Sequence, residues 1–262
     1  MTIDSAIILS DTPVHGEDSY TEWFPNLLDE VFILPANARI VEIGPGENFS
    51  FLVAARELRP DVIIEMVDPS LSIQPDEVAN GSRLMEFSPK PNLRDIELDR
   101  YPRSVRTWLH YKGENGERSV APKPIPINPK IAAEIQAGRI QKATRLGRII
   151  PTYVPPFPND LIGSVDLLVD LYAGYHAILY NGNRRIEYIS AICDVLKPGG
   201  IAHLAPIDQR NVRRLMEHGD ILYPDIQNLE NACSLRGVRL TRTYSNIVFP
   251  TVSDIITLEK YK

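Results

Sequence analysis

The stretch Arg39-Ile-Val-Glu-Ile-Gly-Pro-Gly-Glu-Asn-Phe49 decides the fold. Residues 39–43 read as a short buried strand, Gly44-Pro45-Gly46 as a tight turn, and Phe51-Leu-Val-Ala-Ala-Arg-Glu-Leu58 as the helix that follows. Gly44 and Gly46 accept positive φ, or let a ligand approach backbone where a Cβ would clash. Glu42 stands near the C-terminal end of the strand, the side on which open α/β sheets bind ligands. A Gly-x-Gly by itself occurs in many tight turns. Its weight here comes from a second strand, Val62-Ile-Ile-Glu-Met-Val-Asp68. That strand ends in an acid 24 residues after Gly44, close to the spacing at which nucleotide-binding sheets place a ribose carboxylate.

Outward from this unit the chain alternates strands and helices. Residues 1–16 read as an irregular arm. Asp18 or Ser19 is placed to cap a first helix, whose Trp23, Phe24, Leu27, Leu28, Val31 and Phe32 recur at helical spacing until Pro35 and Asn37 end it. The core resumes at Arg148–Val154. A strongly apolar strand follows at Ser164–Leu171, then a helix from Asn183 to Leu196 stopped by Lys197-Pro-Gly-Gly200. A strand at 201–205, a helix from Gln209 to His218 and another around 224–235 come next. The β runs Val238–Tyr244 and Asp254–Glu259 have no helix between them, so they predict an antiparallel pair closing the sheet.

Residues 88–148 break this rhythm. Pro89, Pro91, Pro102, Pro122, Pro124, Pro126 and Pro129 interrupt any long helix or central strand. The segment is read as a basic insertion, or cap, between the second and third core strands of a single 1–262 domain. It holds 13 Lys/Arg against 6 Asp/Glu, in a chain of net charge −6. Such a segment suits an anionic substrate or partner, or equally a solvated insertion lying on an acidic body. Val105–Tyr111 is expected as a strand, with Gly113–Gly116 as a turn. Lys130–Leu146 is expected as a basic amphipathic helix with Ile131, Ile135 and Ile140 turned inward.

Composition sets outer bounds. At 262 residues and 44% hydrophobic content the chain suits one large soluble α/β domain. No signal-peptide pattern and no bilayer-length apolar run are visible, so a cytoplasmic setting without membrane partners is expected. Cys193 and Cys233 lack metal-type spacing and read as packing residues. The histidines form no HxH or HxxxH pair, so no metal site is expected.

The order of pieces resembles the class I S-adenosylmethionine-dependent methyltransferases. Val41-Glu-Ile-Gly-Pro-Gly46 is similar to their first motif, and Met66-Val-Asp-Pro-Ser70 to their second strand with its ribose acid. Val165-Asp-Leu-Leu-Val-Asp-Leu-Tyr-Ala-Gly-Tyr-His176 resembles the fourth strand and its extension, and Val195-Leu-Lys-Pro-Gly-Gly-Ile201 the turn before the fifth. The match spans roughly 39–70 and 148–260. It implies a Rossmann-like, seven-stranded, mostly parallel sheet with an antiparallel last strand and helices on both faces. It also implies S-adenosylmethionine as cofactor. Gly44, Pro45 and Gly46 would pass backbone along it, with Glu42 on its ammonium group, Asp68 on the ribose hydroxyls, Pro69 beside the adenine and Asp170 toward the methionine part. Two features depart from the pattern. The basic segment 88–148 falls between the second and third core strands, and Ile150–Phe157 lacks the acid that many relatives place near the adenine.

Methyl transfer is an in-line displacement, for which the protein supplies alignment and, for a hydroxyl or ammonium acceptor, a base. His176 is the candidate base, and Tyr172 and Tyr175 are candidates to line the pocket or orient the acceptor. No Asn/Asp-Pro-Pro-Tyr/Phe motif follows the fourth strand, and no Pro-Cys nucleophile is present. These absences mark down amino-group methylation of DNA bases and cytosine C5 chemistry. A small-molecule O- or N-acceptor, anionic or aromatic, is the leading expectation. Two alternatives stand beside it: a non-catalytic cofactor-binding or regulatory module, and an RNA methyltransferase gripping phosphates through the basic segment, whose Trp108, His110 and Tyr111 lie among its cations. Oligomeric state is open.

Overall fold

The fold is known from a computed structural model. It describes residues 7–10, 20, 23–45, 49–80, 85–88, 125–126, 129–171, 182–205, 209–211, 226–245 and 251–261. In chain order the elements are β1 (Ile7–Ser10), α1 (Leu27–Ile33), β2 (Arg39–Ile43), α2 (Ser50–Leu58), β3 (Ile63–Val67), α3 (Pro75–Ala79), β4 (Met85–Ser88) and β5 (Ile125–Pro126). Then come α4 (Pro129–Leu146), β6 (Arg148–Ile150), β7 (Val165–Leu171), α5 (Gly182–Val195), β8 (Leu196–Ala205), β9 (Gln209–Asn211), α6 (Ile226–Ser234), β10 (Val238–Ser245) and β11 (Thr251–Lys260).

The main sheet runs β6-β3-β2-β7-β8-β11-β10, with short β9 added beside the start of β11. β6, β3, β2, β7 and β8 pair in parallel, and β11 pairs antiparallel with both β8 and β10. Six strands therefore share one direction and β11 alone is reversed among the seven, as the terminal β-β pair predicts. β7 is buried at every position and β2 and β3 at four of five, the signature of strands covered on both faces. One face packs against α1, α2 and α4 through Leu27, Val31, Phe51, Leu52 and Ala143. The other packs against α5 and α6 through Tyr188, Ile189, Ile192, Leu229 and Cys233.

Strand order fixes where a ligand crevice opens. From β2 the chain steps to β3 and β6 on one side, then crosses back to β7 and β8 on the other. The connections leave β2 and β7 in opposite directions, so a gap lies beyond their C-terminal ends.

Several expectations are corrected. The first helix is broken: Phe24 N–H donates to the Tyr20 carbonyl at 2.7 Å, and α1 begins only at Leu27. Pro25, without an N–H, lies between. Trp23, Phe24, Leu27 and Val31 are buried as the spacing predicts, but Phe32 is 63% exposed. The N-terminal arm contributes β1, which pairs with β4 in a small separate sheet completed by β5. The third core strand stops at Ile150, because Pro151 has no donor and Thr152 N–H folds back to the Ile150 carbonyl at 2.9 Å. Gln209–Asn211 is a strand on β11 rather than the start of a helix. The 105–111 strand and the 113–116 turn lie outside the described residues.

Helix α4 has the predicted extent, but of its three isoleucines only Ile140 packs against the core, partly buried. Ile131 and Ile135 are exposed, while Ala132, Ala133, Gln136, Arg139 and Ala143 are buried. Small residues bring the helix close to its neighbours, and the two long polar ones reach partners there. Helix α4 is thus the crossover carrying the chain from β3 to β6.

The Lys197-Pro-Gly-Gly200 turn sits inside β8. Val165 pairs with Leu196 and Leu167 with Ile201, so two steps on β7 correspond to five on β8. A Cβ on Gly200 would lie 2.5 Å from the Val165 carbonyl oxygen, so only glycine fits this bulge. Cys193 and Cys233, far apart in sequence, are buried together with their sulfurs 3.6 Å apart.

Candidate functional site

The ends of β2, β3 and β7 bring three acids together around the crevice. Glu42 is paired in register with Val169, and Ile43 with Asp170. Paired residues share a face and successive ones alternate, so Glu42 and Asp170 point to opposite faces at the same edge. Asp68 follows the last residue of β3, and its N–H donates to the Ile150 carbonyl at 3.2 Å.

Glu42 is wholly buried on the α1/α2 face. Its Oε1 accepts a hydrogen bond from the Tyr20 hydroxyl, and its Oε2 is buried without a partner among the described residues. Burial pushes the Glu42 carboxyl up to about 8, the nearby Asp170 and Asp68 add to the rise, and the Tyr20 bond opposes it. Burial, reinforced by Glu42, holds the Tyr20 phenol well above its ordinary range. The Tyr20 ring is stacked on Phe51 with centroids 5.4 Å apart.

Asp170 also meets a phenol, on the opposite face of the sheet. It is buried on the α5 face, and its Oδ2 accepts a short hydrogen bond from Tyr188. Burial, with Asp170 beside it, likewise raises the Tyr188 phenol.

Asp68 is held differently. Its Oδ1 accepts from Ser70 N–H at 2.8 Å and Ser70 Oγ–H at 2.6 Å, capping the turn that Pro69 opens. Its Oδ2 forms an ion pair with Arg139 of α4 at 3.2 Å, and the same guanidinium donates to Ser70 Oγ and Gln136 Oε1. Gln136 is buried and spends its amide on the carbonyls of Ser70 and Ile73, at 2.9 and 2.8 Å. A carboxylate has about four lone-pair positions. Three are filled, so Asp68 retains capacity for about one further donor.

Gly44 supplies the bare backbone. It adopts φ 62° in the left-handed region, and its N–H donates to the Val67 carbonyl at 2.8 Å. Pro45 is buried beside it. The described portions of three motifs therefore meet: Glu42, Gly44, Pro45, Asp68, Pro69 and Asp170 all lie at the C-terminal edge of three adjacent strands. Gly46, Tyr172, Tyr175 and His176 lie outside the described residues. Tyr20, Tyr188 and Arg139 belong to the site although the sequence reading did not select them. The available signal was burial periodicity: Tyr20 precedes Phe24 by four, Tyr188 precedes Ile192 by four, and Arg139 continues the stripe of Ala132, Gln136 and Ala143.

This arrangement fits a nucleoside with a cationic tail better than a dinucleotide. A pyrophosphate would have to lie against buried acids, whereas an ammonium group would satisfy the orphaned Glu42 oxygen. Asp68 can accept one ribose hydroxyl as it stands, fewer than the two the motif implies. Among the described residues no helix is long and apolar enough to cross a membrane.

Neither a protein-family model nor a curated protein sequence matches the chain. Solved structures do match in shape. The N-methyltransferase NodS from Bradyrhizobium japonicum is 12% identical, with 91% of this chain and 94% of that one covered at a TM-score of 0.44. The 16S rRNA (adenine(1408)-N(1))-methyltransferase from Catenulisporales acidiphilia is 11% identical, with coverages of 91% and 94% and a TM-score of 0.43. The precorrin-6y C5,15-methyltransferase from Geobacter metallireducens is 14% identical, with coverages of 90% and 85% and a TM-score of 0.40.

Proposed function

We propose that this chain is an S-adenosylmethionine-dependent methyltransferase acting on a small anionic or aromatic metabolite with a hydroxyl or amine acceptor. The observation that carries the reading is the buried Glu42 oxygen without a partner, beside the left-handed Gly44 turn at the point where strand order reverses. An unpartnered carboxylate oxygen there calls for a donor from a ligand, and the acid-lined edge selects a cationic one. In this reading Glu42 takes the ammonium group, Asp68 takes a ribose hydroxyl, and Gly44-Pro45-Gly46 lets the nucleoside pass close to backbone. Asp170, fixed by Tyr188, borders the methionine part from the other face.

S-adenosylmethionine would supply an electrophilic methyl group on a sulfonium. The chain's part is to hold that methyl in line with the acceptor and keep water away. Tyr172, Tyr175 and His176 follow directly on β7, and His176 is the proposed base that takes the acceptor's proton. The nucleic-acid alternative loses some of its support, because two of the cations counted in 88–148 are engaged by acids of the fold. Arg139 is paired with Asp68, and Arg148 with Glu65 and Asp160.

Calorimetry with S-adenosylmethionine and S-adenosylhomocysteine tests the reading. The expected result is a Kd in the micromolar range or tighter, weakened at least tenfold in Asp68→Asn. Transfer of labelled methyl to a phenolic or carboxylated acceptor, lost in His176→Ala, would extend it to catalysis. Absence of binding by wild-type protein would overturn it.

A further inference from the structure

We infer that Tyr20 is a positioning residue of the cofactor site, and that with Glu42 it forms a receptor that exchanges a proton for the ligand's ammonium group. This rests on the function proposed above.

The first support is geometric. Glu42 has two oxygens in one buried place, with opposite situations. Oε1 is committed to the Tyr20 hydroxyl, while Oε2 has no partner among the described residues. Tyr20 is not free to leave: it is 3% exposed, stacked on Phe51, and tied by its carbonyl to Phe24 N–H. Burial keeps its phenol protonated, so its O–H is available to donate to the Glu42 carboxyl. The bond therefore anchors Oε1 of the Glu42 carboxyl and leaves Oε2 open to a ligand's donor.

The second support is the charge around that position. Among the described residues, the titratable groups that act on Glu42 are Tyr20 from the N-terminal segment, Asp170 across the sheet on β7 and Asp68 after β3. None brings positive charge, and the guanidinium closest in the network, Arg139, is spent on Asp68. With no cation present, burial beside two other acids favours a proton on Glu42. An arriving ammonium group supplies both a positive charge and an N–H donor to Oε2. The Glu42 proton then leaves to the buffer, and the ammonium takes its place, so charge is conserved within the site. Tyr20 assists because its bond favours the ionised carboxylate.

The probe is S-adenosylhomocysteine, titrated calorimetrically at about pH 6.5 in buffers of different ionisation heat. Its α-ammonium, which neighbours a carboxylate and so titrates above the roughly 7.7–8.0 of a peptide N-terminus, is then fully charged. Wild-type protein is expected to release close to one proton per ligand bound. Glu42→Gln should bind with little or no release. Tyr20→Phe should bind several-fold more weakly at about pH 6.5 and shift the pH profile of Kd upward, a change that mere loss of packing would not produce. Binding by wild type with no buffer-dependent heat would overturn the inference while leaving the proposed function intact. So would a Tyr20→Phe profile parallel to wild type at every pH. No binding by wild type would remove the proposed function, and this inference with it.

Discussion

Glu42 and Asp68 end neighbouring strands of the same sheet, yet the fold treats them in opposite ways. Glu42 is enclosed by a phenol and apolar side chains, has an unpartnered oxygen, and has its carboxyl pushed up to about 8. Asp68 is ringed by donors: a backbone N–H, a serine hydroxyl and a buried guanidinium. One acid is stored with a need, and the other with its needs nearly met. The difference shows that a carboxylate at a strand end does not by itself define a role. What distinguishes the two is the element packed over each: the N-terminal segment brings a tyrosine to β2, while α4 brings an arginine to β3.

Removing the arginine breaks that comparison most sharply. Arg139→Met would leave Asp68 buried without its cation, at a cost of about 3–5 kcal/mol. Urea denaturation should show this, and the double variant Asp68→Asn/Arg139→Met should recover much of it. A loss below about 1 kcal/mol would mean that the ion pair is not formed in solution. Next in size is Glu42→Gln, read as a function of pH. The folded protein binds the Glu42 proton more tightly than the unfolded chain does, so the stability this group contributes is complete below about pH 4.5 and is lost as pH rises to about 8. Glutamine keeps an acceptor for Tyr20 and has no proton to lose. The variant and wild type should therefore match near pH 4.5 and diverge by about 4 kcal/mol, in favour of Glu42→Gln, by pH 9. A constant difference across that range would count against the buried, protonated state.

How much of this was legible in the sequence follows the same division. β2, β3 and β7 were readable because near-continuous apolar runs have one interpretation in a sheet covered on both faces. Asp68 and Glu42 were readable as strand-end acids from position alone. Their partners were not, since Tyr20 lies beyond a proline break and Arg139 is buried in a helix whose isoleucines suggested the other face. A hydrophobic count assigns Ile131 and Ile135 inward, because it cannot register a stripe in which Gln136 and Arg139 are the buried long side chains. Likewise Gln209–Asn211 took its state from pairing with Thr251–Ser253, a contact that no local pattern announces.

Tyr20→Phe isolates the phenol's contribution to the Glu42 side. Losing one buried hydrogen bond should cost about 1–2 kcal/mol near neutral pH, measured by thermal or urea unfolding. Because that bond favours the ionised carboxylate, the cost should grow as pH rises through about 8.

Ser70→Ala gives the smallest expected effect and the finest test of the Asp68 side. Its hydroxyl donates to Asp68 Oδ1 and accepts from Arg139, so its loss should destabilise by about 1 kcal/mol. The same change reopens a lone-pair position on Asp68, because the backbone N–H of residue 70 still holds Oδ1 from one side. If Asp68 serves a ribose diol, the variant should bind S-adenosylhomocysteine at least as well as wild type despite being less stable. If Asp68 instead serves only to cap the turn and neutralise Arg139, binding should be indifferent to Asp68→Asn, and Ser70→Ala should change stability alone. Stability and affinity therefore move apart in the first case only, and that divergence decides whether the well-satisfied acid has a ligand role comparable to the unsatisfied one.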